Sequence, residues 1–90
     1  MKYLHYDFDA AAGDTVEVTL DRAANVQLLD PGNFESYKRG NAFRYHGGYA
    51  TTSPVNIPVP RTGHWHVIVD LGGGAGQVRA AVQVLSKAAT

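Results

Sequence analysis

Four histidines stand in a chain of 90 residues that has no cysteine, so any metal or acid–base chemistry here rests on imidazoles and carboxylates. Two of them flank the only tryptophan, in His64-Trp65-His66. On an extended strand this spacing points both rings to one face, about 6 to 7 Å apart, as a His-x-His metal site does. A third ligand is harder to find. Asp70 falls on the same face but roughly 13 Å beyond His66 at strand spacing, whereas ligand atoms lie about 2 Å from a zinc ion, so His5 or His46 would have to fold in. The plainer reading makes His64 and His66 outward-facing strand residues beside aromatic neighbours. On that reading no metal and no cofactor is expected.

A second group lies between Phe34 and Tyr49, where rings and cations interleave: Tyr37, Lys38, Arg39, Arg44, Tyr45, His46 and Tyr49, with only Glu35 opposing them. Stacking rings and guanidinium groups together hold bases, sugars or phosphates. The alternative is that Phe34, Phe43 and one or two tyrosines plug an end of the fold while the cations are solvated. Three cations against one acid are too few for useful non-specific affinity for duplex DNA.

Other candidates fail on context. The glycine run Gly72–Gly76 has Gln77 at the sixth position of a dinucleotide-binding pattern, and no Lys-Ser or Lys-Thr follows it. Asp7 and Asp9 share a strand face at a separation open to paired-carboxylate hydrolysis, but exposed acids at a strand end explain them better. Ser36, Ser53 and Ser86 lack the strained turn that exposes a nucleophilic serine, and without cysteine there is neither a thiol nucleophile nor a disulfide framework. No catalytic residue is expected.

The elements that must position these residues follow from period-two alternation. Trp65, Val67, Val69 and Leu71 form an apolar row, with His64, His66, Ile68 and Asp70 on the other side, so residues 64–71 read as a central strand with one buried face. Pro60 and Gly63 supply the hairpin turn before it, with Gly63 free to take a positive φ. Leu4, Tyr6 and Phe8 alternate with His5, Asp7 and Asp9 in a first strand; Val16, Val18 and Leu20 with Thr15, Glu17 and Thr19 in a second. Asn25 to Leu29 makes a third, with Val26 and Leu28 inward, forming a hairpin with the second. Asp30-Pro31-Gly32-Asn33 reads as a turn from which Asn33 caps a short helix over 34–39, stopped by Gly40. Residues 41–52 allow two short strands or an ordered loop.

Val55, Ile57 and Val59 alternate with Asn56, Pro58 and Pro60, and a proline inside a strand places it at a sheet edge. Val78, Ala80, Val82 and Val84 fit a strand, while Val78, Ala81, Val82 and Leu85 fit a helix face; the valines favour the strand. The glycine run is then a hairpin loop, and residues 86–90 a frayed tail. Six or seven short strands with at most one short helix indicate an all-β fold, a small antiparallel sandwich or partly open barrel.

Ninety residues suffice for one domain, residues 1–90, burying roughly 60 to 65 per cent of its unfolded surface. Hydrophobic residues are 44% and charged residues 18%, with a formal net charge of zero, which argues against disorder and against a polyelectrolyte partner. Charge is nevertheless uneven: residues 1–30 hold six acids and two bases, residues 31–66 one acid and four bases. The opening Met1 to Asp9 has no apolar core of signal-peptide length and no run approaches a membrane span. A cytoplasmic location is expected.

Several phrases together resemble a bacterial family known as domain of unknown function number 1883: Tyr-Leu-His-Tyr-Asp at the start, Gly-Asp-Thr-Val-Glu-Val-Thr-Leu, Ala-Asn-Val-Gln-Leu-Leu-Asp, Asn-Phe-Glu-Ser-Tyr-Lys-Arg-Gly, Tyr-His-Gly-Gly, and Ser-Pro-Val followed by Pro-Arg-Thr-Gly-His-Trp-His-Val-Ile-Val-Asp-Leu-Gly-Gly. The likeness runs from about Tyr3 to Leu85. It implies a short β-rich domain that stands alone or precedes a TIR signalling domain, and an accessory or recognition role more than an enzymatic one. With the chain ending at Thr90, no TIR domain is expected on it. No catalytic residues carry over.

The reading that results is a non-enzymatic binding module that recognises a protein partner or small ligand through Tyr37, Lys38, Arg39, Arg44, Tyr45, His46 and Tyr49 together with His64 and His66. Its rivals are a small metal-dependent enzyme or metal-binding protein using surface histidines, and a self-assembling structural unit whose open edge strand, such as that of Pro58, pairs with a second copy.

Overall fold

Seven strands and one helix follow one another in the computed structural model, which describes residues 3–72 and 76–87. They are β1 (Leu4–Ala10), β2 (Thr15–Leu20), β3 (Ala24–Leu29), α1 (Pro31–Lys38), β4 (His46–Ala50), β5 (Val55–Pro58), β6 (Gly63–Asp70) and β7 (Ala80–Leu85). A four-stranded sheet has the order β1-β6-β3-β4 and a three-stranded sheet the order β5-β2-β7. Every pairing is antiparallel. The two sheets form a sandwich and not a closed barrel, with β6 central as its apolar row requires and β5, with Pro58, at an edge.

Only the β3–β4 connection stays within one sheet; every other one changes sheets. Three expected hairpins are therefore corrected. β2 and β3 do not pair, nor do β5 and β6, and the glycine run joins β6 to a strand of the other sheet. Residues 73–75 of that run, and 88–90 of the tail, lie outside the described residues. The physical reason is that two successive amphipathic strands bury their apolar rows equally well by facing each other across the sandwich. Asp21-Arg22-Ala23, fully extended, spans about 10 Å, the usual gap between packed sheets. Gly63 correspondingly has no positive φ and pairs with Ala10 at the start of β6.

Between the sheets lie Val16, Val18, Leu20, Val26, Leu28, Ile57, Val59, Trp65, Val67 and Val69, all buried. Leu4, Tyr6, Phe8, Val55, Val78, Val82 and Val84 pack against them from half-buried positions. The Trp65 indole N–H donates to the carbonyl of Arg61 at 3.0 Å, so its polar atom is satisfied inside the core. β7 is a strand, paired with β2 from Ala80 to Leu85. The tail begins tethered, because the Lys87 N–H donates to the buried Asp14 carboxylate at 3.1 Å.

The outer face of the four-stranded sheet differs from the expectation of a single buried side. A second apolar cluster of Leu29, Phe34 and Ile68, with Tyr37 and Phe43 against it, forms where α1 lies on that face. The helix starts earlier than expected and its cap is Asp30, whose Oδ1 accepts the Asn33 N–H at 2.7 Å. Pro31 then occupies the first helical turn, where its fixed φ fits and its missing N–H costs nothing. Asn33 is thereby freed to accept the Arg44 N–H at 2.7 Å and hold the following loop. Gly40, at φ 75°, ends the helix. Its N–H reaches the Tyr37 carbonyl at 3.2 Å and the Asn41 N–H reaches that of Ser36 at 2.9 Å, the paired bonds of a glycine C-terminal cap. Of residues 41–52, 46–50 form the strand β4 and the rest are loop.

Candidate functional site

Strands from opposite ends of the chain pair to build the site. The β1–β6 register sets Asp9 opposite His64, Asp7 opposite His66 and His5 opposite Ile68. In both strands these residues belong to the row that points away from the sandwich interior, so acids and imidazoles meet on the outer face.

His64 lies between two carboxylates: Nδ1 is 2.8 Å from Asp9 Oδ1 and Nε2 is 2.9 Å from Asp7 Oδ2. Hydrogen bonds to Asp9 first and Asp7 second favour the imidazolium and raise its pKa above the ordinary value. His66, one row further in, is shifted the other way. Partial burial beneath the helix, then the neighbouring His5 and His64, disfavour its charged form. Its Nδ1 lies 2.8 Å from Nε2 of His5, so one of these nitrogens donates to the other.

Phe34 of α1 is laid against this imidazole pair. Ring centroids are 4.4 Å apart for His5 and 4.3 Å for His66, with the planes 22° and 14° from parallel. The Lys38 ammonium sits 4.8 Å from the centroid of the Phe34 ring and pairs with Glu35 at 2.9 Å. Beside His64 an open groove of about 450 Å³ is lined by Asp9, Ala10, Ala11, Asp14, Thr62, Gly63 and His64. One atom each from Asp7, His64 and His66 lie within 4.8 Å of one another, a spacing within reach of one shared cation.

The remaining sequence candidates divide into other neighbourhoods. Tyr37 turns to the far flank of α1, where its hydroxyl donates to Asp70 Oδ2 at 3.4 Å. Its ring meets Phe43 and Tyr3 edge-on, at 5.2 and 5.4 Å. Burial, followed by the Asp70 charge, pushes its hydroxyl up to about 12. Tyr45 leans on Phe43 and is 46% exposed, and Tyr49 is 68% exposed. Arg39 is the helix C-cap residue, and Arg44 is held by its backbone to Asn33. His46 pairs in register with the inward Leu28 and meets Trp65 edge-on at 6.0 Å, so it is separated by the sheet from His64 and His66.

Thus Lys38, His64 and His66 come together, while Tyr37, Tyr45, Tyr49 and His46 do not join them. Read from the sequence, Asp7 and Asp9 pair only with each other, His5 is one of two possible third ligands beside His64 and His66, and Phe34 is a ring that plugs an end of the fold. The signal that unites them is the matching of two outward rows, His5-Asp7-Asp9 and His64-His66, and it becomes readable only once β1 is known to pair with β6.

The fold and site together define a small antiparallel β-sandwich with a histidine–carboxylate surface beside the helix α1. Residues 1–88 match the family described as Domain of unknown function (DUF1883), and the chain belongs to it. No curated protein and no solved structure matches the chain. Among the described residues, no helix is long and apolar enough to cross a membrane.

Proposed function

We propose that this domain is a non-enzymatic binding module that recognises a protein partner or small ligand on the outer face of its four-stranded sheet, where β1 and β6 run beside α1. The observation that carries the reading is the side-chain network of His5, Asp7, Asp9, His64 and His66. These are exposed or half-buried residues on two paired strands, bonded to one another and bordered by an open groove. Groups mounted on strands keep their geometry better than groups on loops, and a surface that sets hydrogen-bond donors and acceptors side by side suits a hydrogen-bonding ligand. Lys38, paired with Glu35, stands at the helix border of this face.

Two-dimensional amide NMR of the labelled chain tests the reading with a panel of nucleotides, sugar phosphates, and acidic and basic peptides. A binder is expected to shift residues 5–9, 34–38 and 64–66 together. Shifts confined to β5, β2 and β7 would overturn it.

A further inference from the structure

We propose that Asp7, His64 and His66 form a binding site for a divalent first-row transition-metal ion of the zinc class, with Asp9 and His5 orienting the two imidazoles. The inference rests on the functional reading above and names the ligand of the same face.

Three donors that merely lie near one another do not make a metal site; their lone pairs must converge while their other polar atoms are held elsewhere. Both histidines meet the second part of that condition, and the three donor atoms lie within 4.8 Å of one another. Nδ1 of His64 is engaged by Asp9 at 2.8 Å and Nδ1 of His66 by His5 at 2.8 Å, which leaves Nε2 of each ring to face an ion. Nε2 of His64 already lies 2.9 Å from Asp7 Oδ2. Two ligands about 2.0 to 2.1 Å from a tetrahedral ion sit roughly 3.3 Å apart, so this pair needs to open by only a few tenths of an ångström. An ion between them replaces the bridging proton and leaves the Asp9 contact in place.

His66 is also fixed from outside. Phe34 lies flat on His66 and His5, and the strand register sets Asp7 directly across from His66. Little side-chain entropy remains to be lost at His66 when the ion arrives, while the exposed His64 and Asp7 are held by their contact with each other and with Asp9. Two imidazoles and one carboxylate suit zinc, nickel, cobalt or iron(II), whereas calcium and magnesium require oxygen donors throughout. Three protein ligands leave a coordination position open; the groove beside the site shares Asp9 and His64 with it but not Asp7 or His66. Asp7 and His64 are exposed, so an exogenous anion or a partner's side chain reaches the ion from solvent.

The test is calorimetric titration of tag-free, chelator-stripped protein with zinc chloride near neutral pH. One ion per chain is expected, with His64→Ala, His66→Ala and Asp7→Asn each weakening binding at least tenfold. Asp9→Asn and His5→Ala are expected to weaken it by about tenfold, and His46→Ala, which alters an imidazole on the other side of the sheet, to leave it unchanged. Substoichiometric uptake, or an equal loss in the His46 variant, would make the binding adventitious and overturn the inference. Cobalt(II) gives a reading that needs no variant: the visible bands of a low-symmetry site at one equivalent support it, and the spectrum of the hydrated ion overturns it. If a panel ligand moves residues 5–9 and 64–66 while zinc and cobalt do not bind, the metal inference falls and the binding-module reading stands.

Discussion

The ring of His66 lies against that of Phe34 with 4.3 Å between centroids and 14° between planes. One residue comes from the central strand and the other from α1, so the site and the second apolar cluster share a wall. Phe34 also packs with Leu29 and Ile68 and is 6% exposed. Phe34→Ala should therefore lower stability by about 3 kcal/mol, a fall in Tm on the order of 15 °C for a domain of this size. Lys38→Ala, which removes an exposed contact with the same ring, should cost about 0.5 kcal/mol. Thermal melts followed by circular dichroism compare the two, and equal losses would deny the helix its packing role.

Tyr37 serves the far flank of the same helix. Its hydroxyl, pushed up to about 12 by burial and then by Asp70, keeps its proton in the folded chain after an unfolded tyrosine has lost it near 10. A folded pKa above the unfolded one gives a stabilising contribution that is complete below pH about 10 and disappears as pH rises through about 12. Tyr37→Phe should flatten the alkaline fall in stability over that window. At neutral pH it should cost no more than about 1 kcal/mol, the scale of one long hydrogen bond. Denaturant titrations of the two proteins between neutral and strongly alkaline pH give the comparison, and parallel curves would contradict it.

At the helix start Asp30 accepts the Asn33 N–H at 2.7 Å and pairs with Arg61 at 2.7 Å. The Asn33 backbone bond first, and Arg61 after it, hold its carboxyl below the ordinary value. A depressed carboxylate stabilises the fold fully above its unfolded pKa of about 3.9, and that contribution is lost as pH falls through the lower folded value. Asp30→Ala should cost about 1 kcal/mol near neutrality. Asp30→Ser, which keeps a capping oxygen but not the charge, should cost less and should narrow its gap to wild type as the solution is acidified. A gap that widens in acid would reverse the sign of the argument.

Strand alternation made most of the fold legible, because Trp65, Val67, Val69, Val16, Val18 and Leu20 repeat every second residue and the structure buries each of them. Partnership between strands was not legible. Turn residues such as Pro60 and Gly63 mark where the chain reverses, but the same residues serve a hairpin and a crossing between sheets. Ile68 and Asp70 could not be placed from β6 alone, since the helix that buries them is capped three residues earlier than Asn33 suggested. The site was obscured for the same reason. His64 and His66 were visible as a pair, but Asp70, the acid near them in sequence, lies one or two rows too far along the strand. Asp7, distant in sequence, is directly opposite His66. Edge placement of β5 was readable from Pro58 because a missing N–H is a local property; register is a property of two segments at once.

An ion held by the folded chain must stabilise it, since the unfolded chain has no assembled site. At a free zinc concentration one hundred times Kd the linkage amounts to about 2.7 kcal/mol, reduced by whatever zinc the histidines of the unfolded chain retain. For a domain of 90 residues this predicts a rise in Tm of about 10 °C, reversed by a chelator. His64→Ala and His66→Ala should abolish the rise while leaving the metal-free Tm nearly unchanged for His64, which is exposed, and lower for His66, which is stacked on Phe34. His46→Ala should keep the full rise. Magnesium at the same concentration should give none, because two of the three donors are imidazole nitrogens. A shift of equal size with magnesium, or one retained in both the His64 and His66 variants, would mean that the stabilisation comes from general charge screening around Asp7 and Asp9 and not from coordination.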